Sequence, residues 1–185
     1  MENTQLENEL ELYYLYMLSD GEIAIAETKI LEEIRKELSI DINVLREIFN
    51  KFNEMTINVD DILDKIINTH EENSEYIVNE DDTRKKLSII WNLINLGYAD
   101  RSYSENEKAI VKYFLGKWNI SSDVYLEMIS IANTIETLEE KKIWITNLED
   151  INALDLNNMY LNLNEEIEKQ YENINLLIEE VVYLV

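Results

Sequence analysis

The chain has no cysteine, no proline, only three glycines, a single histidine and no long apolar run. Each scarcity excludes something. Without cysteine there are no disulfides, no thiolate metal site and no thiol nucleophile. With His70 as the sole imidazole, zinc held by its usual nitrogen and sulfur ligands is all but excluded. No apolar stretch approaches the roughly 18 residues a membrane span needs, so no direct membrane insertion is expected. A β-rich chain of 185 residues would need more turn residues than Gly21, Gly97 and Gly116 supply. Basic residues are also scarce: 16 Lys and Arg stand against 39 Asp and Glu, for a net charge of −23. That surface repels a phosphate backbone, so nucleic acid is not an expected partner, whereas hard cations and basic proteins are. Charge of one sign also serves plain solubility. The opening MENTQLENELEL is acidic, where a secretory signal would begin basic and turn apolar, so the expected location is cytoplasmic.

What is present points to an all-α protein. Apolar residues recur at spacings of three and four nearly throughout, the helical period. The pattern predicts helices at roughly 5–18, 24–38, 42–54, 59–70, 81–98, 105–117, 122–134, 138–153 and 158–183, with Asn58, Ser121 and Asp155 as nearby start signals. Residues 71–86, EENSEYIVNEDDTRKK, read as a solvated loop, and His70 at its edge reads as an exposed helix-end residue.

A shift of 80 residues superimposes one part of the chain on another without a gap. Asp20 falls on Asp100, Glu27 on Glu107, Ile30 on Ile110, Ile40 on Ile120, Val44 on Val124 and Glu47 on Glu127. Residue type is kept between the identities, as in Ile34 with Phe114 and Leu38 with Trp118, and Leu10, Tyr13 and Tyr14 oppose Ile90, Leu93 and Ile94. The implied unit is helix, Asp turn, helix, short break, helix, made twice. The expected architecture is a helical bundle of two pseudo-symmetric three-helix repeats in residues 1–135, followed by C-terminal helices in 136–185 that pack on it or on a partner.

The repeated frame is LSDGEIAIAETKI against YADRSYSENEKAI, with a Glu seven residues after each Asp. In the second copy Ser104 and Glu107 spell S-x-x-E, a capping box in which each side chain takes the other residue's amide. Asp100 is placed to close the preceding turn by accepting backbone N–H groups. In the first copy Ala24 replaces the Ser, and half the box is missing. Glu27 and Glu107 each head a core-facing stripe and therefore point inward. Symmetric packing would bring Asp20, Glu27, Asp100 and Glu107 together, and carboxylates so placed need protons, donors or a cation. Oxygen-only ligands suit Ca²⁺ or Mg²⁺. The first copy is not an EF-hand, because Ala24 and Leu31 stand where that loop needs ligands.

The doubled frame of apolar helix, (S/A)-D-G-x-(I/V)-S-x-x-E, helix and break resembles the TerB-like group of tellurite-resistance proteins, a helical domain also found beside a J-domain in a DnaJ-like co-chaperone. LSDGEIAIAE and YADRSYSENE carry the resemblance, which covers about residues 5–134. It implies an all-α domain of about seven helices, divalent metal held by acidic residues of both motifs, and a role in bacterial stress response through protein complexes. Carried over, the metal candidates are Asp20, Glu27, Asp100 and Glu107. Two positions depart from the pattern: Arg101 stands where Gly is usual and brings a competing cation, and Ala24 stands where Ser is usual. A J-domain's His-Pro-Asp cannot occur without proline.

Tyr160, Leu163, Ile167, Tyr171, Ile174, Ile178, Val181 and Val185 form a near-heptad seam on a long helix. It is expected to pack on the repeat domain, or to form a homodimer or partner contact, since the terminal VVYLV needs cover. Trp91, Trp118 and Trp144 sit on apolar stripes and read as core. No nucleophile–histidine pair, P-loop or dinucleotide fingerprint is present, and the Glu-x-x-His of helical di-metal sites is absent. The expectation is therefore a non-enzymatic protein, although four carboxylates around a metal could support phosphate-ester hydrolysis. Two function classes follow: a TerB-like stress-response protein acting through protein partners, and an acidic immunity-like inhibitor that binds a basic protein by charge mimicry.

Overall fold

The computed structural model describes residues 2–21, 23–53, 58, 61–72, 77–79, 81–148 and 152–184. Among these the fold is all-α, with eight α-helices and no strand: α1 Glu2–Met17, α2 Ile25–Glu37, α3 Ile42–Asn53, α4 Ile62–Glu72, α5 Thr83–Tyr98, α6 Glu105–Lys117, α7 Ser122–Thr146 and α8 Ala153–Leu184. A 3-10 turn, Leu18–Asp20, follows α1. No helix among the described residues is long and apolar enough to cross a membrane. The chain divides into two compact units, 1–120 and 121–185.

In the first unit α1 and α5 form the core. Consecutive residues of α1, Leu12 through Met17, are all buried, as are Leu87, Ile89, Ile90, Trp91, Leu93, Ile94 and Leu96 of α5. A helix apolar all round can only sit inside, and α1 accordingly packs against α2, α3, α4, α5 and α6. Glu9 and Tyr13, polar groups buried there, are paired. Glu9, fully buried, meets the Lys85 ammonium at 2.6 Å and accepts from the Tyr13 hydroxyl at 2.7 Å. The Asn92 amide donates in turn to the Tyr13 oxygen at 3.1 Å. The network locks α1 against α5, because losing one partner would strand the others in an apolar interior. Gly97 allows the close approach: a Cβ there would lie 2.5 Å from the Tyr16 hydroxyl oxygen and 2.6 Å from the Tyr103 ring.

The 71–86 segment is shorter and less solvated than its composition suggests. α4 extends to Glu72, α5 begins at Thr83, and Ile77 and Val78 between them are buried. Gln5 of α1 donates to the Asn79 side chain, at 3.2 Å. Residues 73–76 and the His70 side chain lie outside the described residues.

In the second unit the predicted helices 122–134 and 138–153 are one helix, α7, which runs unbroken through position 135. Asn-Thr-Ile-Glu-Thr at 133–137 has no helix stop, and Asn133, Thr134 and Thr137 turn their donors back onto carbonyls one turn earlier. α7 ends at Thr146 and α8 begins at Ala153, and Asn152, not Asp155, caps α8 by accepting from the Leu154 and Asp155 amides. Ser121 caps α7 as expected, accepting from the Val124 amide at 3.3 Å. The short connection makes α7 and α8 an antiparallel hairpin, closed by Ile167, Ile174 and Ile178 of the predicted seam, by Leu177 outside it, and by Lys142 over the Tyr160 ring. Tyr171 is only partly covered and Val185 lies outside the described residues. Trp91 is core, but Trp144 is 60% exposed: Ile145 takes the buried direction, and the adjacent position is turned about 100° away from it.

Candidate functional site: the paired Asp-to-Glu junctions

The site is assembled from two helix junctions, 18–41 and 98–121, whose local geometry recurs at the 80-residue offset. Each begins with an Asp followed by a left-handed residue, Gly21 at φ 93° and Arg101 at φ 69°. Gly21 N–H donates to Leu18 O and Arg101 N–H to Tyr98 O, again 80 residues apart. The Asp100 carboxylate accepts from the Ser102 amide at 2.8 Å, the turn closure that its position predicts.

Each helix that follows is capped by its Glu. Glu27 Oε2 accepts from the Ala24 amide at 2.6 Å, and Glu107 Oε2 accepts from the Ser104 amide at 2.7 Å. Only the second junction has the reciprocal bond, from the Glu107 amide to Ser104 Oγ, because Ala24 has no side-chain acceptor. Both helices end in a Schellman motif. Ser39 at φ 56° and Asn119 at φ 53° take the left-handed position, and Ile40 and Ile120 donate back to Arg35 O and Leu115 O. What recurs is this local geometry. The flanking helices differ: α7 has 25 residues where α3 has 12, and α7 belongs to the second unit.

The four predicted site residues occupy one region of the first unit. Asp20 and Asp100 line a cleft of about 450 Å³, together with Ile23, Ala24, Ser102, Ser104, Glu105 and Asn106. Glu27 and Glu107 are buried, with 1% and 2% of their surface exposed. Burial raises the Glu27 carboxyl to about 8, helped by the charges of Asp20, Asp100 and Glu107 and opposed by the Ala24 amide. Burial likewise raises Glu107 to about 7, with Asp20 and Asp100 adding and the Ser104 bonds opposing. Two carboxyls meant for caps are thus held part-neutral near physiological pH, first by desolvation and then by the neighbouring carboxylates.

Asn106 is the residue that sequence reading missed. Its side-chain amide donates to Ser19 O at 2.8 Å, tying the first turn of α6 to the 3-10 turn before Asp20. Its counterpart 80 residues earlier is Ala26, so the tie runs one way only. Its position beside Glu107 was the available signal, but a bond spanning 87 residues is not written in local sequence.

By chemistry the donors fit a hard cation: all are carboxylate oxygens, with the Ser102 and Ser104 hydroxyls nearby. By geometry, no group of three or more acidic or imidazole side chains is gathered for a metal among the described residues. With Glu105 of the cleft wall paired to Lys108 at 2.8 Å, a cation there would have the Asp20 and Asp100 carboxylates and would keep water in its remaining positions, the way Mg²⁺ is commonly held. Comparison of the chain with protein-family models, with curated proteins and with solved structures returns no match.

Proposed function

We propose that this is a non-enzymatic binding protein of the TerB-like type, in which a divalent cation bridges the two Asp-to-Glu junctions and sets the state in which the domain meets its protein partners. One observation carries the reading: Asp20 and Asp100, 80 residues apart, line one cleft whose other two junction carboxyls, Glu27 and Glu107, are buried. Asp20 and Asp100 are the direct ligands. Glu27 and Glu107 hold the junctions in shape and add negative potential, and a cation would lower their pKa values in return. The role in bacterial stress response comes from the sequence resemblance alone.

The test is thermal unfolding of chelator-stripped protein with and without Ca²⁺, Mg²⁺ or Mn²⁺ at matched ionic strength, beside the Asp20→Asn, Asp100→Asn double variant. A cation at about 100 times its dissociation constant adds about 2.7 kcal/mol, roughly 5–10 °C for a chain of this size. The expected shift is present in the wild type and lost in the variant. Equal small shifts in both would leave the junctions as caps and nothing more.

A second reading is favoured by the outer face of α8, where Leu161 (52% exposed) and Leu176 (61%) alternate with Glu165 and Glu172. Such a face suits a basic amphipathic partner, as an acidic inhibitor would present. Under that reading Glu165→Gln, Glu172→Gln abolishes capture of the basic partner, whereas Asp20→Asn, Asp100→Asn leaves it intact.

A further inference from the structure

α1 and α5 run parallel. Their contacts rise together along both chains: Gln5 meets Asn79 just ahead of α5, Glu9 meets Lys85, Tyr13 meets Asn92, and Tyr16 lies against Gly97. The two Asp junctions therefore leave the pair at the same end. How far α1 has slid along α5 decides where Asp20 stands relative to Asp100 across the cleft.

Apolar packing does not decide it. Leu12 through Met17 are buried all round α1, and α5 offers Leu87, Ile89, Ile90, Leu93, Ile94 and Leu96 along its length. A slide of one turn exchanges one apolar neighbour for another. The polar contacts are selective. A slide of four residues in one direction sets Glu9 against Ile89 and Tyr13 against Leu96, and leaves a carboxylate without its counter-charge in an apolar interior. In the other direction it brings Glu9 toward Asp81, like charge to like. Tyr16 is selective too, because Gly97 is the only glycine of α5 and a Cβ there would lie 2.5 Å from the Tyr16 oxygen. Lys51 to Glu11 and Gln5 to Asn79 also tie α1 to its surroundings, but both contacts are exposed, where such pairs hold weakly.

We propose that Glu9, Tyr13, Lys85 and Asn92 are positioning residues of the cleft: a polar key that fixes the register of α1 on α5 and thereby sets Asp20 opposite Asp100. Their task is register, not stability, since a buried ion pair gains little over apolar side chains of similar size. What the register does for a bound cation rests on the function proposed above; the register itself does not.

The chain has no cysteine, so spin labels can be placed at Thr4→Cys and Glu105→Cys alone. Both positions are exposed and lie at opposite ends of the α1–α5 pair, so a slide along the axis changes their separation. Double electron–electron resonance in chelator compares this background with one in which Glu9→Met, Tyr13→Phe, Lys85→Met and Asn92→Leu make the whole network apolar and strand no partner. The expected result is one narrow distance with the network present. Without it, the distribution broadens or doubles by about 6 Å, one turn of slide, at a urea midpoint no lower than before. Glu9→Gln with Lys85→Met is the milder change, which keeps an acceptor for the Tyr13 hydroxyl. If the fourfold variant does not fold, the milder one decides by the same distance criterion. A narrow, unchanged distance overturns the proposal. So does unfolding of both variants, which would make the network a source of stability. Because no cation is present in the distance measurement, failure of a Mg²⁺-dependent melting shift would strike the cation reading and leave the register result standing.

Discussion

At the first junction the left-handed residue after the Asp is Gly21 and the N-cap of α2 is Ala24; at the second they are Arg101 and Ser104. The backbone bonds are nevertheless the same, down to the Glu carboxylate on the N-cap amide and the paired closures at Ser39–Ile40 and Asn119–Ile120. The turn tolerates a glycine or an arginine, and the cap an alanine or a serine. Both junctions retain the two carboxylates. A cap alone does not require the Glu to be buried beside a second acidic junction, with its pKa pushed up. That cost is the reason to assign the carboxylates a task beyond capping.

The largest effect should come from neutralising the buried pair. Their folded-state values, about 8 and about 7, lie above the ordinary 4.5. The folded chain therefore keeps protons that the unfolded chain has lost. The two groups cost nothing below about pH 4.5 and destabilise progressively as pH rises toward 7 and 8. Glu27→Gln with Glu107→Gln keeps the carbonyl acceptor for each cap and removes that cost. In chelator, the variant should gain on the order of a few kcal/mol over wild type at pH 8 and little at pH 5. Parallel melting-temperature curves for the two proteins between pH 5 and 8 would refute this account of the site.

Exchanging the caps tests the comparison more finely. Ser104→Ala should cost about 1 kcal/mol, and Ala24→Ser should gain about 0.5–1 kcal/mol by completing the missing half of the box. Urea midpoints measured on both variants decide it: two losses would mean that the junctions are not equivalent where the hydrogen bonds say they are. The smallest difference lies at the Schellman positions. Ser39→Gly should gain about 0.5–1 kcal/mol, since Ser tolerates the left-handed region poorly. Asn119→Gly should gain only a few tenths, because Asn is already at home there. A larger gain at Asn119 would contradict the backbone equivalence.

Local devices were legible because each is encoded within a few residues. The Asp turn, the Glu cap, the break before Ile40 and Ile120 and the Ser121 start all involve contacts reaching no more than about six positions along the chain. Where the local signal was weak, the reading failed. The expected helices end at 134 and resume at 138, yet Ile131, Ile135 and Leu138 keep the helical period and no glycine, proline or cap stops the helix. Trp144 looked like core because an aromatic on a stripe usually is, but the register of a continuous α7 turns it outward.

What the amino-acid sequence by itself determined is the helical content, the two junctions and their 80-residue offset, since helix period, capping chemistry and turn preference act between near neighbours. Only the tertiary structure decided that Asp20 and Asp100 share a cleft, that Glu27 and Glu107 are desolvated rather than merely capping, that Asn106 reaches Ser19, and that Ile145 rather than Trp144 is buried. Those outcomes depend on how α1 and α5 pack, on the burial that packing imposes, and on electrostatic fields summed over residues distant in sequence, none of which a local pattern carries.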